Sequence, residues 1–336
     1  MGKALLRKRV LHFVLAFGVT GFLVWRVGPA RLGGALRSAD LLLIGVAFLV
    51  VATAVFLKAC RFHMIIRRKA SLRRLFRIVA FQDALNAFLP ARMGELSYVV
   101  MLKEVGIPVG EGIASLALAR VGDVLAATAI FYTALIILHD PRLSFVSVAL
   151  PAAVIFLGAL GIIAALFLLK DRVNAMLNRL MSFSWFPGKL RRIAHQHISD
   201  LLSGLRAAGD RRLLVIAFSC SVLIWIMAAL ALHLWVLALR SSLSFWQCAL
   251  IQTLLAVLSL LPLHALLGPA VVEVSLLGLL VLFGVDRDVA MTIVLATAVF
   301  LGLYYAVMLP VSSALAPKAA TTTPDAGHHS SESPCR

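Results

Sequence analysis

Long apolar runs, separated by short stretches crowded with arginine and lysine, set the pattern of this chain. Runs able to cross a bilayer cover residues 10–27, 41–59, 113–138, 143–169, 213–239 and 289–315, a span needing about 20 apolar residues. Two further stretches, 78–102 and 248–284, are mostly apolar but broken near their middles by proline, glycine and charge. The alternation of apolar and polar positions that marks a membrane β-barrel is absent from the sequence. The pattern predicts an all-α, polytopic helical membrane protein with six full spans.

Basic residues give the spans a direction, because lysine and arginine gather in cytoplasmic connections. The connection 60–77 holds Arg61, Arg67, Arg68, Lys69, Arg73, Arg74 and Arg77 and no acid. The connection 170–212 holds nine basic residues against Asp171, Asp200 and Asp210. Both are expected in the cytoplasm. Two full spans separate residue 103 from residue 170, so 78–102 must begin and end on the cytoplasmic side. A segment of that length that returns to its own side is a re-entrant helical hairpin, here broken at Pro90. The same reasoning makes 248–284 a second hairpin, entered from outside and broken between Pro262 and Pro269.

The halves, about 41–138 and 213–315, then form an inverted repeat, the plan of many alternating-access transporters. The plainer alternative is that both broken segments are kinked spans or helical pairs. The expected layout is a membrane domain over 1–316 with a basic cytoplasmic loop at 170–212, and a disordered Thr-, Ser- and Pro-rich tail over 317–336. Both termini are expected in the cytoplasm. The apolar run behind Lys3, Arg7, Lys8 and Arg9 has no A-x-A-like cleavage site and reads as a retained first span.

Composition narrows the function classes. Of 336 residues, 62% are hydrophobic and 14% charged, against about 25% charged in a soluble domain. The formal net charge of +17 would suggest nucleic acid in a soluble protein. Here membrane orientation accounts for the basic residues, and no nucleic-acid partner is expected. Cys60, Cys220, Cys248 and Cys335 form no CxxC pair, which speaks against a disulfide framework or a zinc site. His195 and His197 lie in a basic loop with no carboxylate or cysteine cluster nearby, and His328 and His329 read as solvent-exposed tail residues and not as metal ligands. No metal and no cofactor are expected.

The charged residues inside the broken segments carry the candidate chemistry. The first reads FQDALNAFLPARMGELSYVVMLKEVG and places Asp83, Asn86, Arg92 and Glu95 at hydrocarbon depth. Each charge there costs about 2.5–3.5 kcal/mol on insertion scales unless paired or wet. Beyond Pro90 the free N–H groups near Arg92, Met93 and Gly94 and the helix dipole suit an anion. Arg92 adds a planar fork that matches phosphate; simple neutralisation of Arg92 by Glu95 is the alternative. The following span carries Arg120 and Asp123 on one helical face. Cross-pairing of Glu95 with Arg120 and of Arg92 with Asp123 would neutralise all four. The second broken segment offers Pro262, His264, Gly268, Pro269 and Glu273. No phosphate-binding loop, HExxH or GxSxG occurs, so no catalytic residues and no enzyme activity are expected.

The order Asn86, Pro90, Arg92, Gly94, Glu95, Gly106, Arg120 and Asp123 resembles the transmembrane region of the lysylphosphatidylglycerol synthase family, also called flippase-like membrane proteins, over roughly residues 10–315. The second half keeps Pro262, Gly268 and Glu273 but reads LLGPAVVE where that family usually has more glycines. The resemblance implies a bacterial cytoplasmic membrane protein that moves lipid between leaflets. Its synthase domain is expected to be missing, so the protein partner would be another copy or a separate lipid-synthesising enzyme. An anionic or zwitterionic head group would sit at Arg92 and the half-helix end, with Arg120 assisting. Glu95, Asp123 and Glu273 would gate or relay protons, and Asp83 and Asn86 would complete the site. Two other readings stay open: a membrane-embedded enzyme modifying lipid head groups with Glu95 or Asp123 as base, and a non-transporting partner in an envelope-assembly complex.

Overall fold

The computed structural model describes residues 33–34, 37–88, 93–139, 154, 157–158, 161, 211–259 and 269–314. Among them run eight helices: α1 (Leu41–Ile65), α2 (Leu72–Phe88), α3 (Met93–Glu104), α4 (Val109–Leu138), α5 (Arg211–Ala238), α6 (Phe245–Ser259), α7 (Pro269–Leu282) and α8 (Arg287–Ala314). The expected span 10–27, most of 143–169, Pro90, Arg92, Pro262, His264, Gly268 and the tail lie outside the described residues.

Four helices, α1, α4, α5 and α8, are long and apolar enough to cross a membrane. The other four have 17, 12, 15 and 14 residues. At about 1.5 Å per residue they reach roughly 18–26 Å, short of a hydrocarbon core about 30 Å thick. They come in consecutive pairs, α2–α3 around Pro90 and α6–α7 around 260–268.

Local chemistry sets the boundaries. The Asp40 carboxylate caps α1 by accepting from the N–H groups of Leu42 and Leu43. Helix α1 then continues to Ile65, beyond the end expected at residue 59. Arg61, counted above as part of a cytoplasmic connection, is a buried residue of the helix interior. Its charge is met by protein groups, so the helix need not stop where the apolar run does.

The joints between helices recur. Helix α1 ends with Arg67 in the left-handed region (φ 53°), its N–H donating to the Met64 carbonyl and the Arg68 N–H to that of His63. Helix α5 ends likewise on Arg240 (φ 58°), with bonds from Arg240 to Leu237 and from Ser241 to Val236. Ser71 then caps α2 through the Arg74 N–H, and Ser244 caps α6 through the Gln247 N–H. Helices α3 and α7 both stop on glycine, Gly106 (φ 85°) and Gly284 (φ 84°), where the absence of Cβ removes the cost of a left-handed backbone. Two bonds of the same pattern close each of these turns. Helices α1–α4 and α5–α8 therefore match at the two described joints of each half.

Packing follows the same correspondence. Helices α1 and α5 lie antiparallel: the Asp40 N–H donates to the Ala238 carbonyl at one end, and Arg61 meets Ser221 toward the other. Helix α4 packs on α5 and α6, and α8 packs on α1 and α2. One apolar cluster joins the ends of α4 and α5 to α6, α7 and the start of α8, with Phe131, Val236, Cys248, Leu280 and Ala290 at its centre. A second joins the end of α1 to α2, α3 and the end of α8 through Phe62, Leu75, Tyr98 and Tyr304. Lys69, just past α1, pairs with Glu111 in the first turn of α4. The chain thus leaves α1 and enters α4 at one end of the bundle, and α2 and α3, the pair expected as the first hairpin, pack on each other between them. Leu49, Leu96, Val215 and Val307 are exposed on the outside, as a lipid-facing surface requires.

Candidate functional site

Where α1, α3, α4 and α5 meet, charged side chains replace the apolar core. Helix α1 carries Lys58 and Arg61 one turn apart, hence on one face. The Arg61 fork bonds Asp123 of α4 twice, Nη1 to Oδ1 at 2.5 Å and Nη2 to Oδ2 at 3.4 Å. Nη1 also donates to Ser221 Oγ of α5 at 2.6 Å, and the guanidinium carbon lies 5.4 Å from the Phe62 ring centre. Arg61 is only 3% exposed, and its Nε has no partner among the described residues. A single side chain thereby ties α1, α4 and α5 together.

Arg120, one turn before Asp123 on α4, extends the chain of charges toward the first hairpin. Its Nη1 lies 3.5 Å from Asp123 Oδ2, and its Nη2 donates to Glu95 of α3. Lys58 makes a separate link to the hairpin, bonding Asp83 of α2 at 2.8 Å. Exposure rises along the series: the side chain of Arg61 is 4% exposed, Asp123 15%, and Arg120 36%. The Arg61–Asp123 pair is therefore a sealed brace, whereas Arg120 keeps donors that a ligand can reach.

Within the hairpin, α3 crosses α2 at Gly94. A Cβ built there would stand 2.5 Å from Asn86 Oδ1 and closer still to the Gln82 carbonyl oxygen, so only glycine fits. Gln82 Oε1 and Asn86 Oδ1 are buried and have no partner among the described residues. Buried polar atoms without partners are uncommon and call for an explanation. One turn beyond Gly94 the Tyr98 hydroxyl and Ser115 Oγ of α4 are 3.0 Å apart, and the Tyr98 ring packs on Phe62.

Of the residues singled out by sequence, the structure brings Glu95, Arg120 and Asp123 into one bonded series. Asp83, Asn86 and Gly94 lie on the adjoining hairpin. Asp83 pairs with Lys58. The expected partner of Asp123, Arg92, lies outside the described residues; the described partners are Arg61 and Arg120. Glu273 is on α7, whose main neighbours are α6 and α8. Sequence reasoning missed Lys58, Arg61 and Ser221. The available signal was a pair of cations spaced i, i+3 at the end of an apolar run, in phase to share one face. Among the described residues no three His, Cys, Asp or Glu side chains gather as a metal site would require.

No curated protein and no solved structure matches the chain. The pattern of the lysylphosphatidylglycerol synthase TM region, in contrast, matches residues 9–310, a stretch that contains every described helix except the last turn of α8 and the whole charged cluster. This helical, multi-pass membrane protein belongs to the lysylphosphatidylglycerol synthase TM region family.

Proposed function

We propose that the protein moves a lipid between the leaflets of the bacterial cytoplasmic membrane, holding an anionic or zwitterionic head group at the first broken helix pair. The observation that carries this reading is Arg120, a part-exposed guanidinium beside the hairpin at what should be hydrocarbon depth. A charge so placed is expensive and marks a pathway or a binding site. An arginine fork fits phosphate, and because it does not give up its proton it serves as an anchor and not as a base. On this reading Glu95 and Glu273 are gating groups, Asp123 is a fixed member of the brace with Arg61, none of the three is a catalyst, and the chain is not an enzyme. Membrane lipids are its ligands, and another copy or a lipid-synthesising enzyme is its protein partner.

The accompanying topology is an inverted repeat with two re-entrant hairpins and cytoplasmic termini. Antiparallel α1 and α5, the matched joints and the Lys69–Glu111 pair support it. It predicts that cysteines placed at the exposed positions 69 and 104 are both labelled from the cytoplasmic side, and those at 240 and 286 from the outside. Labelling of position 104 from outside would overturn the first hairpin.

The functional test uses purified protein in vesicles carrying a fluorescent phospholipid with an anionic head group, with a membrane-impermeant quencher added outside. Wild-type protein should speed loss of the protected fluorescence, and Arg120→Gln should slow it at least about tenfold. Stability should change by about 1 kcal/mol or less, the range for a part-exposed pair. No acceleration over protein-free vesicles would refute translocation. A new lipid species detected by mass spectrometry would replace it with head-group chemistry.

A further inference from the structure

The six ionised groups of the cluster divide unevenly between the two bodies they join. Asp83 and Glu95 sit on the hairpin, whereas Lys58, Arg61, Arg120 and Asp123 sit on α1 and α4. Among these six the hairpin brings two negative charges. The α1–α4 face brings three positive charges and one negative, a net of +2. Arg61 and Arg120 share Asp123, and Lys58 lies one turn from Arg61 on the same face of α1, so the three cations form one patch and not separate pairs. Arg61 adds a buried Nε–H without a partner among the described residues.

We propose that this α1–α4 patch is an anion site for the phosphate of a lipid head group, and that the hairpin carboxylates fill it as internal counter-ions while no head group is bound. The inference rests on the reading given under Proposed function and deepens it by joining head-group binding to hairpin movement. A face of charge +2 at hydrocarbon depth needs a counter-ion at all times. Two carboxylates of the chain itself meet that need in the described arrangement. A phosphate offers the same sign of charge and the same fork geometry to arginine, so it competes for the donors that Glu95 occupies.

Exposure decides which contact yields first. Glu95 and Arg120 are 26% and 36% exposed, whereas Asp83 is 13% exposed and its partner Lys58 30%. The Arg61–Asp123–Ser221 brace is sealed and stays. Binding of phosphate at Arg120 therefore frees α3 from α4 while α1, α4 and α5 remain joined. The ligand favours the state with the hairpin released because only that state frees the Arg120 donors that Glu95 occupies, which is the differential affinity a population shift requires.

The test titrates the full-length protein in detergent with dihexanoylphosphatidic acid, and separately with inorganic phosphate. Wild type should bind the lipid. Glu95→Gln should bind it about three- to fivefold more tightly, the scale set by releasing one part-exposed pair, and Arg120→Gln at least about tenfold more weakly. Asp83→Asn, which frees Lys58 instead, should also tighten binding and stands in should Glu95→Gln fail to fold. In a background without the four native cysteines, spin labels at the exposed positions 96 on α3 and 125 on α4 should move apart when the lipid is added. Unchanged or weaker binding in both carboxylate variants overturns the counter-ion exchange while leaving a lipid site at Arg120 intact. Tighter binding of inorganic phosphate than of the lipid assigns the patch to free phosphate and overturns the head-group assignment. No binding of the lipid by wild type overturns the site and the translocation reading together.

Discussion

Arg61→Gln should destabilise the protein more than any other single change in the charged cluster. Arg61 is nearly sealed, and it supplies both bonds of a fork to Asp123 as well as one to Ser221. Removing its charge leaves Asp123 with Arg120 as its remaining described ion-pair partner, at 3.5 Å and part-exposed. Losing one partner of a buried ion pair costs about 3–5 kcal/mol, a large share of the total for a folded domain. The measurement is thermal unfolding of the purified protein in detergent, with Arg120→Gln alongside as the part-exposed comparison. The double replacement Arg61→Met with Asp123→Leu should recover much of the loss, because an apolar pair of similar volume leaves no charge uncompensated. Wild-type stability in Arg61→Gln would show that the brace carries no load.

Arg61 is also the clearest case of what the sequence hides. Reading an apolar run to its first arginine ends α1 at residue 59 and assigns Arg61 to water, since charge at the end of a span normally means an interface. The assumption fails because Asp123 and Ser221, 62 and 160 positions away in the chain, supply its partners, and spacing along one helix carries no trace of them. Pairing of Glu95 with Arg120 was easier to anticipate, since a hairpin and the next span are neighbours by connectivity. The four long helices were legible from run length alone. The matching joints were visible but unread: Arg67 and Ser71 have the same spacing as Arg240 and Ser244. Each pair marks a left-handed helix end followed by a serine cap. Gly106 and Gly284 mark the third joint of each half in the same way, with left-handed turns closing α3 and α7.

Gly94→Ala should disable the hairpin while leaving every charge of the cluster in place. The added methyl would meet both Asn86 Oδ1 and the Gln82 carbonyl oxygen inside any normal contact distance. The amide of Asn86 can turn away, but the Gln82 carbonyl is helix backbone and cannot. Helix α3 must therefore lift from α2, and overpacking of this kind costs about 1–3 kcal/mol. Glu95 is the next residue on α3, so the same movement draws its carboxylate from Arg120. Lipid movement in vesicles should fall sharply, with a smaller drop in thermal stability than Arg61→Gln produces. Adding Asn86→Ala separates the two contacts. If the backbone carbonyl is the obstacle, Gly94→Ala with Asn86→Ala stays as impaired as Gly94→Ala alone. Full recovery in the double variant would place the obstacle in the side chain and refute the close helix crossing at Gly94.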